Sequence, residues 1–326
     1  MIPVVDDLTW QAPTRGDDPA WLALLDAIEE ADQRGEVLSQ DEIDDEWDSV
    51  WSHPVTDSVF GWSGVDLVAF GWIKTEVGTR EHHKVSCWGG VAPSHRGRGI
   101  GRQLLDRQVA RADEICATLD PTLPTQIELD AGEGQVDLVR LATGAGFTVE
   151  RRFLELARPT ALPVPTAVPV RGVEVVAWSD GLDESTRLAH VESFADHWGS
   201  EPTTVEAWHQ WYTGHRGFRP ALSRVVVDRT SGEVVAFVLA AAYPTDWGTG
   251  PREAWIQSVG TRRSWRGRGV ARWALTESLA SIGAADDGYE RAILGVDAAN
   301  PTGAVALYRG LGFEDVRVSL RLVRRA

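Results

Sequence analysis

The chain has 326 residues, with 48 Asp and Glu against 32 Lys and Arg, for a formal net charge of −16. Such acidity argues against a nucleic-acid partner, whose phosphate backbone attracts basic surfaces, and is compatible with a cationic or amine substrate. Cys87 and Cys116 are the two cysteines; they are too few for a disulfide scaffold and predict a pair of buried, unlinked thiols.

The start of the chain and its apolar segments argue against two further classes. Residues 1–7 lack the basic start and the apolar core of a signal peptide. No apolar run reaches the roughly 18 to 20 residues that are needed to span a bilayer. We therefore expect a soluble, cytoplasmic protein, either a monomer or a homodimer, that binds neither a membrane nor a nucleic acid.

A glycine-rich turn joins a predicted strand to a predicted helix in the first half of the chain. The apolar run 85–91 is typical of a strand, and apolar residues at helical spacing follow over 100–115. The turn between them consists of Arg96, Gly97, Arg98, Gly99, Ile100 and Gly101. Such a turn leaves several backbone N–H groups unpaired at the positive end of the helix dipole. It therefore predicts a diphosphate site.

Prolines cluster near the middle of the chain, at Pro159, Pro163, Pro165 and Pro169. Together with Thr, Ala and Val, they predict a semi-rigid extended segment and not a packed element. At roughly 150 residues per domain, the sequence on either side is long enough for one domain with its own core. We therefore predict an N-terminal domain over 1–158, a linker over 159–169 and a C-terminal domain over 170–326.

The second half of the chain repeats the first. An apolar strand-like run at 255–259 is followed by a turn and by a helical pattern over 270–282. The turn consists of Arg266, Gly267, Arg268, Gly269, Val270 and Ala271. The offset from Arg96 to Arg266 is 266 − 96 = 170, and the offset from Phe147 to Phe313 is 313 − 147 = 166. The near-constant offset indicates an internal duplication, which predicts the same site in each half.

The last predicted helix carries a tyrosine. Asn300 is a good N-cap and Pro301 suits the first helical position, so the sequence predicts that the helix begins there. Ala304, Leu307 and Tyr308 then lie on one face, because residues three and four positions apart are neighbours on a helix.

The segment from Val91 to Gly101 resembles the pyrophosphate motif of the GNAT superfamily of acetyl-CoA-dependent N-acetyltransferases. That motif has Arg or Gln, two residues, Gly, one residue, and then Gly or Ala, and the second turn follows it as far as Ala271. The segment 297–313, which contains Leu-Tyr and Gly-Phe, is similar to a second signature of the family. The resemblance covers both halves, and among two-domain members the chain is most similar to the mycothiol synthases. The acceptor substrate does not follow from this similarity.

The resemblance implies a fold of the α/β (α+β) class, built from two tandem GNAT domains. Each domain would be a mixed, mainly antiparallel sheet with helices on both faces, splayed between its fourth and fifth strands to admit the pantetheine arm of acetyl-CoA. No metal is expected, because no cluster of His, Cys and Asp has ligand spacing. The residues that the resemblance assigns to the cofactor are Val91, Arg96, Gly97, Arg98, Gly99, Ile100 and Gly101 in the first half, and Val259, Gly260, Thr261, Arg266, Gly267, Arg268, Gly269, Val270, Ala271 and Asn300 in the second.

The same resemblance assigns catalysis to the second half. In relatives a tyrosine at the position of Tyr308 points at the thioester sulfur, so Tyr308 is the expected acid for the departing thiolate. A backbone amide within 259–261 would stabilise the oxyanion. Relatives often carry a glutamate where this chain has Trp255, so Glu253, two residues earlier on the same strand face, is the candidate base. A solvated carboxylate at a strand end is the alternative interpretation of Glu253.

The first half lacks the corresponding side chains. Counting back from Tyr308 by the offset that relates the two phenylalanines gives Ala142, and the same count from Asn300 gives Gly134. We therefore expect that the first domain keeps its cofactor motif without catalysing transfer.

The predicted function is direct transfer of an acetyl group from acetyl-CoA to a primary amine of a small molecule. A CoA-binding sensor without turnover, and an enzyme that acetylates protein N-termini or lysines, are the two alternatives. A Rossmann dinucleotide site is disfavoured because the glycines follow G-x-G-x-G and not G-x-G-x-x-G, and no Gly-Lys-Ser or Gly-Lys-Thr of a P-loop occurs.

Overall fold

The computed structural model describes residues 8–35, 37–78, 81–198, 202–243, 251–300 and 302–325. Residues 1–7, for which no signal peptide is predicted, and Pro301, the predicted first residue of the last helix, lie outside these ranges. The chain forms two compact units, Met1–Arg152 with Val318–Ala326, and Phe153–Arg317. Among the described residues, no helix is long and apolar enough to cross a bilayer.

Both halves contain a mixture of strands and helices. The first half contains β1 (Thr9–Gln11), α1 (Asp18–Asp32), α2 (Gln40–Asp48), α3 (Pro54–Asp57), β2 (Val59–Ser63), β3 (Asp66–Glu76), β4 (His83–Val91), α4 (Ile100–Cys116), β5 (Thr125–Gly132), α5 (Val136–Gly144) and β6 (Thr148–Pro159). The second half contains β7 (Val173–Ala177), α6 (Asp183–Phe194), α7 (Val205–Trp208), β8 (Arg224–Asp228), β9 (Val234–Ala241), β10 (Glu253–Thr261), α8 (Val270–Ala284), β11 (Arg291–Asp297), α9 (Ala304–Arg309) and β12 (Glu314–Arg325).

The first unit is a mixed, mainly antiparallel sheet in the order β1-β2-β3-β4-β5-β12, in which β4 and β5 are parallel. Helix α1 packs on one face, where Trp21 stacks on Trp72 with 4.6 Å between ring centroids. Helix α4 packs on the other face through Leu105 and Ala112. The unit therefore has helices on both faces of its sheet, as the family resemblance implied.

The second unit has the same design, with strands in the order β6-β11-β10-β9-β8-β7 and a parallel pairing between β10 and β11. Helix α8 covers one face through Leu275 and Leu279, which belong to a core with Ile256 and Leu294 of the sheet. The opposite face has a smaller core around Phe237, which includes residues of α6 and α7. This is the second of the two predicted tandem domains.

The strand that closes each unit comes from the other half of the chain. Strand β12 completes the first sheet, and its Leu320 and Leu322 join the core of that unit. Strand β6 completes the second sheet, where Leu154 and Leu156 pack under α8. The two segments are equivalent in the repeat and present the same alternation of apolar residues. Each can therefore complete the sheet of the other half of the chain. The predicted boundaries, 1–158 and 170–326, follow the order of the chain. The two units differ from them because 153–158 belongs to the second unit and 318–326 to the first.

Both cysteines are free thiols, as predicted. Cys87 is buried, and burial raises the pKa of its thiol to about 12. Cys116 is half-buried and not fully buried, because it is the last residue of α4, where the helix leaves the core.

His190 of α6 is buried among aromatic side chains in the second unit. Its ring stacks on Phe194 at 4.4 Å and lies 4.7 Å from the ring of Tyr212, whose hydroxyl is 3.1 Å from His190 Nε2. Trp208 lies on a further side, with 5.4 Å between ring centroids. Burial lowers the pKa of this imidazole from 6.5 to about 3. The histidine is therefore neutral in the folded protein at any pH near neutrality.

We expect His190 to make the folded state sensitive to acid. Between pH 6.5 and about 3 the unfolded chain binds a proton that the folded chain excludes, so the stability present above pH 6.5 is lost as the pH falls. The loss approaches about 1.4 kcal/mol per pH unit for one group. Urea unfolding of the wild type and His190→Phe at pH 7, 6 and 5 checks this. The variant should lose less stability per pH unit, and equal slopes would contradict the assignment.

Candidate active site

Two neighbouring strands of the second unit separate part-way along their length. The parallel pairing of β10 and β11 ends at Trp255 opposite Ile293. Beyond that point β10 continues to Thr261 beside β9, and β11 continues to Asp297 beside β6. We call the space between 257–261 of β10 and 294–297 of β11 the wedge. It is the splay between the fourth and fifth strands of the domain that the resemblance implied.

Strand β10 presents main-chain amides to the wedge. The N–H of Arg262 donates to the carbonyl oxygen of Val235 at 2.9 Å, so these two residues form a hydrogen-bonded pair between the strands. Hydrogen-bonded and non-bonded pairs alternate along an antiparallel ladder. The N–H groups of Val259 and Thr261 therefore point away from β9 and into the wedge. A bulge at Gln257, between Ile256 and Ser258, precedes them.

The loop after β10 is a row of main-chain donors at the start of α8. Gly267 has φ 74° and Gly269, the N-cap of α8, has φ 84°; both angles lie in the left-handed region that glycine adopts without strain. The first helical hydrogen bond runs from the N–H of Trp273 to the carbonyl oxygen of Gly269 at 3.0 Å. Within the described ranges, no acceptor pairs with the N–H groups of 267–272. These donors fit a diphosphate.

The arginine side chains of this loop hold the loop in place. Arg266 Nε donates to the carbonyl oxygen of Thr261 at 3.2 Å, and its Nη2 donates to that of Ser193 at 2.9 Å. The guanidinium of Arg268 lies 4.8 Å from the ring centroid of Trp265. Arg266 therefore fastens the turn to the end of β10 and to α6, while the main chain stays open to a ligand.

Tyr308 lies on α9 and is 7% exposed. Its ring meets Phe313 edge-on, with 6.0 Å between centroids. Ala304, Leu307 and Tyr308 all contact the core under α8, so they share one helix face as their spacing predicted. Burial raises the pKa of the Tyr308 phenol to about 12. The phenol is therefore protonated at neutral pH and able to donate a proton.

The prediction that Asn300 caps this helix is wrong. Helix α9 begins at Ala304, and its N-cap is Gly303 with φ 78°. Asn300 Oδ1 instead accepts a hydrogen bond from the N–H of Thr302 at 2.8 Å, which is a local turn of the kind that Asn side chains favour. The residue still follows β11 at the end of the wedge, so its predicted contact with the cofactor stays a prediction.

Glu253, the candidate base, is the first residue of β10 and lies in the paired part of the strand. Its carboxylate forms an ion pair with Arg291 and is largely buried. Val259 lies six positions further along the strand, which at ~3.3 Å per residue is about 20 Å. A proton could reach Glu253 from a nitrogen beside Val259 only through a chain of water molecules.

The first unit repeats the loop geometry of the second. Strands β4 and β5 pair over His83–Ser86 and then separate. Gly97 has φ 73° and Gly99 has φ 85°, and Arg96 Nε donates to the carbonyl oxygen of Val91 at 3.1 Å. The φ angles and this hydrogen bond nearly equal their counterparts in the second turn. The two turns are therefore the same structural element.

At the described equivalent positions, the first unit differs from the second in two features. The helix after β5 carries the fully buried Ala142, and no tyrosine, at the position that corresponds to Tyr308. The pairing of β4 with β3 keeps one register from Val91 to Lys84, without the bulge that β10 has at Gln257. The first difference follows from the sequence alone, whereas the second depends on the register of the strands.

A hydrogen-bonded group of His215, Tyr243 and Gln257 lies at the bulge and was not predicted from the sequence. His215 Nδ1 lies 2.8 Å from the hydroxyl of Tyr243, and its Nε2 lies 2.8 Å from the Nε2 of Gln257. These residues come from a loop, a strand end and a bulge, so no fixed spacing in the sequence brings them together. Within the described ranges, no group of three His, Cys, Asp or Glu side chains is arranged to hold a metal ion.

Glu155 of β6 was also missed. It lies opposite Gly295 of β11 and forms an ion pair with Arg317. The only sequence signal is a glutamate between Leu154 and Leu156, which indicates a strand with one apolar face. Nothing in that pattern indicates that the segment completes the second sheet.

Comparison with known proteins identifies the family. The model of the Acetyltransferase (GNAT) family matches residues 184–313, from α6 to α9. A mycothiol acetyltransferase of Thermobifida fusca is 30% identical over 233 residues, which cover 69% of this chain and 69% of that protein. A second mycothiol acetyltransferase, from Tsukamurella paurometabola, is 29% identical over 231 residues, covering 69% of this chain and 73% of that protein.

Solved structures support the fold of the whole chain. A GCN5-related N-acetyltransferase from Sphaerobacter thermophilus superposes with a TM-score of 0.77 at 24% identity, covering 99% of this chain and 96% of that one. A tandem GNAT protein from the clavulanic acid biosynthesis pathway gives a TM-score of 0.71 at 16% identity, with 98% of both chains covered. The chain therefore belongs to the GNAT family and is a tandem-domain, acyl-CoA-dependent N-acetyltransferase that resembles the mycothiol acetyltransferases.

Proposed function

We propose that the protein transfers the acetyl group of acetyl-CoA to a primary amine of a small molecule, and that the second unit performs the transfer. One observation supports this proposal: among its described residues, the second unit combines a row of unpaired amides at 267–272, the wedge, and a Tyr308 phenol that packs in the same core as α8. The first unit has the equivalent glycine turn and separating strands, but Ala142 stands at the position that corresponds to Tyr308. We infer that it does not catalyse transfer.

The amides of the loop would hold the diphosphate of the donor, and the pantetheine arm would enter the wedge. The N–H of Val259 or Thr261 would then stabilise the negative charge that develops on the thioester oxygen when the amine attacks. Tyr308, whose phenol has a pKa of about 12, would protonate the departing thiolate. The protein would thus lower the barrier by positioning and by hydrogen bonds that strengthen during the reaction.

The acceptor class rests on two arguments. The relatives that align over two thirds of their length carry the name mycothiol acetyltransferase, which supports a small-molecule acceptor. The net charge of −16 favours the approach of a cationic amine. Which amine is accepted is a property of the side chains around the wedge and does not follow from the fold.

Release of free thiol from acetyl-CoA across a panel of amines tests the proposal. The panel holds amino sugars, polyamines, amino acids and two peptides with free N-termini or lysines. We expect thiol release that depends on a small primary amine. Release with the peptides alone would favour protein acetylation, and binding of acetyl-CoA without release by any amine would favour a sensor.

A further inference from the structure

Glu155 lies in β6, on the face of the second sheet that is opposite α8. Its neighbours Leu154 and Leu156 pack into the core under α8, and side chains alternate between the two faces of a strand. Glu155 therefore points to the other face, where its side chain is 21% exposed. Its partner across the strands is Gly295, where an added Cβ would meet no atom of the described residues within 4 Å. Glu155 thus borders an open recess above Gly295.

This recess adjoins the start of the wedge. Strand β11 leaves β10 after Ile293, and Gly295 is two residues further. Glu155 is on the next strand, β6. At ~4.8 Å between strands and ~3.3 Å per residue, its Cα lies at least about 10 Å to the side of Val259 and about 7 Å along the strand. The Glu155 side chain spans part of the distance from its Cα to Val259, and the remaining gap has room for an acetyl group and an attacking nitrogen.

The recess also lies on the side from which an acceptor must come. The helix α8, which carries the phosphate-binding loop, and Tyr308 both belong to the core on one face of the sheet. Glu155 lies on the other face. An amine has to approach the thioester carbon from the side that the donor leaves open, with its lone pair aligned on that carbon. Glu155 is therefore on the acceptor side.

The electrostatic surroundings of Glu155 favour a base. Burial raises the pKa of its carboxyl, and the nearby carboxylate of Glu253 raises it further, while Arg317 and Arg291 lower it; the net shift is upward. A carboxylate with a raised pKa takes up a proton more readily at neutral pH. Glu253 is less suited, because about 20 Å of strand separates it from Val259.

We propose that Glu155 is the catalytic base of the second unit, where its carboxylate binds the ammonium group of the acceptor and removes one proton from it. The assignment rests on the acetyl transfer proposed above. The freed lone pair forms the N–C bond with the acetyl carbon, the C–S bond breaks, and the thiolate takes a proton from Tyr308. The second proton of the nitrogen restores Tyr308 through solvent, and Glu155 releases its proton to solvent. The glutamate of the first half of the chain thus completes the site of the second unit.

The first test compares kcat/KM of Glu155→Gln and Glu150→Gln with an amine that the wild type acetylates. Glu150 is a matched control, because it lies on the same strand, pairs with Arg325 and has a side chain that is 15% exposed. Loss of a general base costs about 10²-fold or more. We expect that loss for E155Q alone, with the affinity for acetyl-CoA unchanged. Equal activity of E155Q and wild type, or an equal loss in E150Q, overturns the assignment.

The pH profile separates a base from a structural residue. Wild-type kcat/KM should fall as the pH drops through the raised pKa of Glu155. Arg317→Met removes a charge that lowers this pKa, so the acidic limb should move to higher pH; Glu253→Gln removes one that raises it, so the limb should move to lower pH. If the acidic limb moves in neither of these variants, the proposal is overturned. It is also overturned by a limb that persists in E155Q and disappears in His215→Asn, which would make His215 the base.

Thiol release by the wild-type protein distinguishes a failure of the proposed acetyl transfer from a failure of the role of Glu155. If no amine in the panel releases thiol with the wild-type protein, the proposed acetyl transfer fails and the role of Glu155 fails with it. If the wild type is active and E155Q equals it, acetyl transfer stands and the assignment of Glu155 alone is rejected.

Discussion

Replacing Tyr308 with phenylalanine should lower kcat by about 10²-fold or more, because the departing thiolate loses its acid. The ring and its contact with Phe313 stay in place, so the affinity for acetyl-CoA and the stability should change little. The phenol has a pKa of about 12, so it is protonated throughout the range pH 6 to 9. The loss should therefore be the same across that range. Steady-state kinetics with saturating acetyl-CoA and a calorimetric titration with acetyl-CoA check both parts.

Tyr289→Phe is the matched control for Y308F. Tyr289 is 5% exposed, belongs to the same core, and burial likewise raises the pKa of its phenol. It lies before β11 and away from the wedge, so its replacement should leave kcat within about twofold. Equal losses in the two variants would show that kcat responds to core packing, and a Y308F variant with full activity would remove Tyr308 from the mechanism.

A carboxylate in the second glycine turn should abolish productive donor binding. Gly267 has φ 74° and open space around its missing Cβ, and Asp tolerates the left-handed region better than most residues, so Gly267→Asp should fold. Its charge would face the diphosphate. At an effective dielectric constant of ~20, two unit charges ~4 Å apart repel by about 4 kcal/mol. We expect at least about 100-fold weaker binding of acetyl-CoA to the second unit and a matching loss of kcat/KM.

Two further variants isolate the charge and the site. The side chain in Gly267→Asn has nearly the same shape as that in Gly267→Asp but carries no charge. Because charge repulsion is the main effect of the aspartate, the affinity of Gly267→Asn for acetyl-CoA should stay within about tenfold of the wild type. Gly97→Asp places the same charge in the equivalent turn of the first unit, where φ is 73° and the space is equally open. It should leave turnover unchanged. If G97D loses turnover and G267D keeps it, catalysis belongs to the first unit.

The turns and the fold could be predicted because they depend on local sequence. Gly97 and Gly267 adopt nearly equal left-handed φ angles, and each turn starts a helix where the apolar period changes from two to 3.6. Tyr308 could be assigned to the core face of its helix because the spacing to Leu307 and Ala304 is local as well. Together with the family resemblance, these features led to tandem GNAT domains, and the comparisons confirmed them.

The closing strands and the candidate base could not be predicted, because they depend on pairing between distant segments. Leu154 with Leu156 and Leu320 with Leu322 show the same alternation, so the sequence alone does not say which sheet each segment completes. Glu155 is opposite Gly295 only in the exchanged arrangement. The helix after Asn300 was misplaced for a different reason: Gly303 adopts φ 78° and starts the helix later than the Asn-Pro pattern indicates.

A solved structure of the protein with acetyl-CoA tests the central claim most directly. We expect the diphosphate on the N–H groups of 267–272 and the thioester oxygen ~2.7 to 3.1 Å from the main-chain nitrogen of Val259 or Thr261. The sulfur should lie beside the hydroxyl of Tyr308. A thioester held against β4 or β5 of the first unit, with the wedge of the second unit empty, would contradict the account.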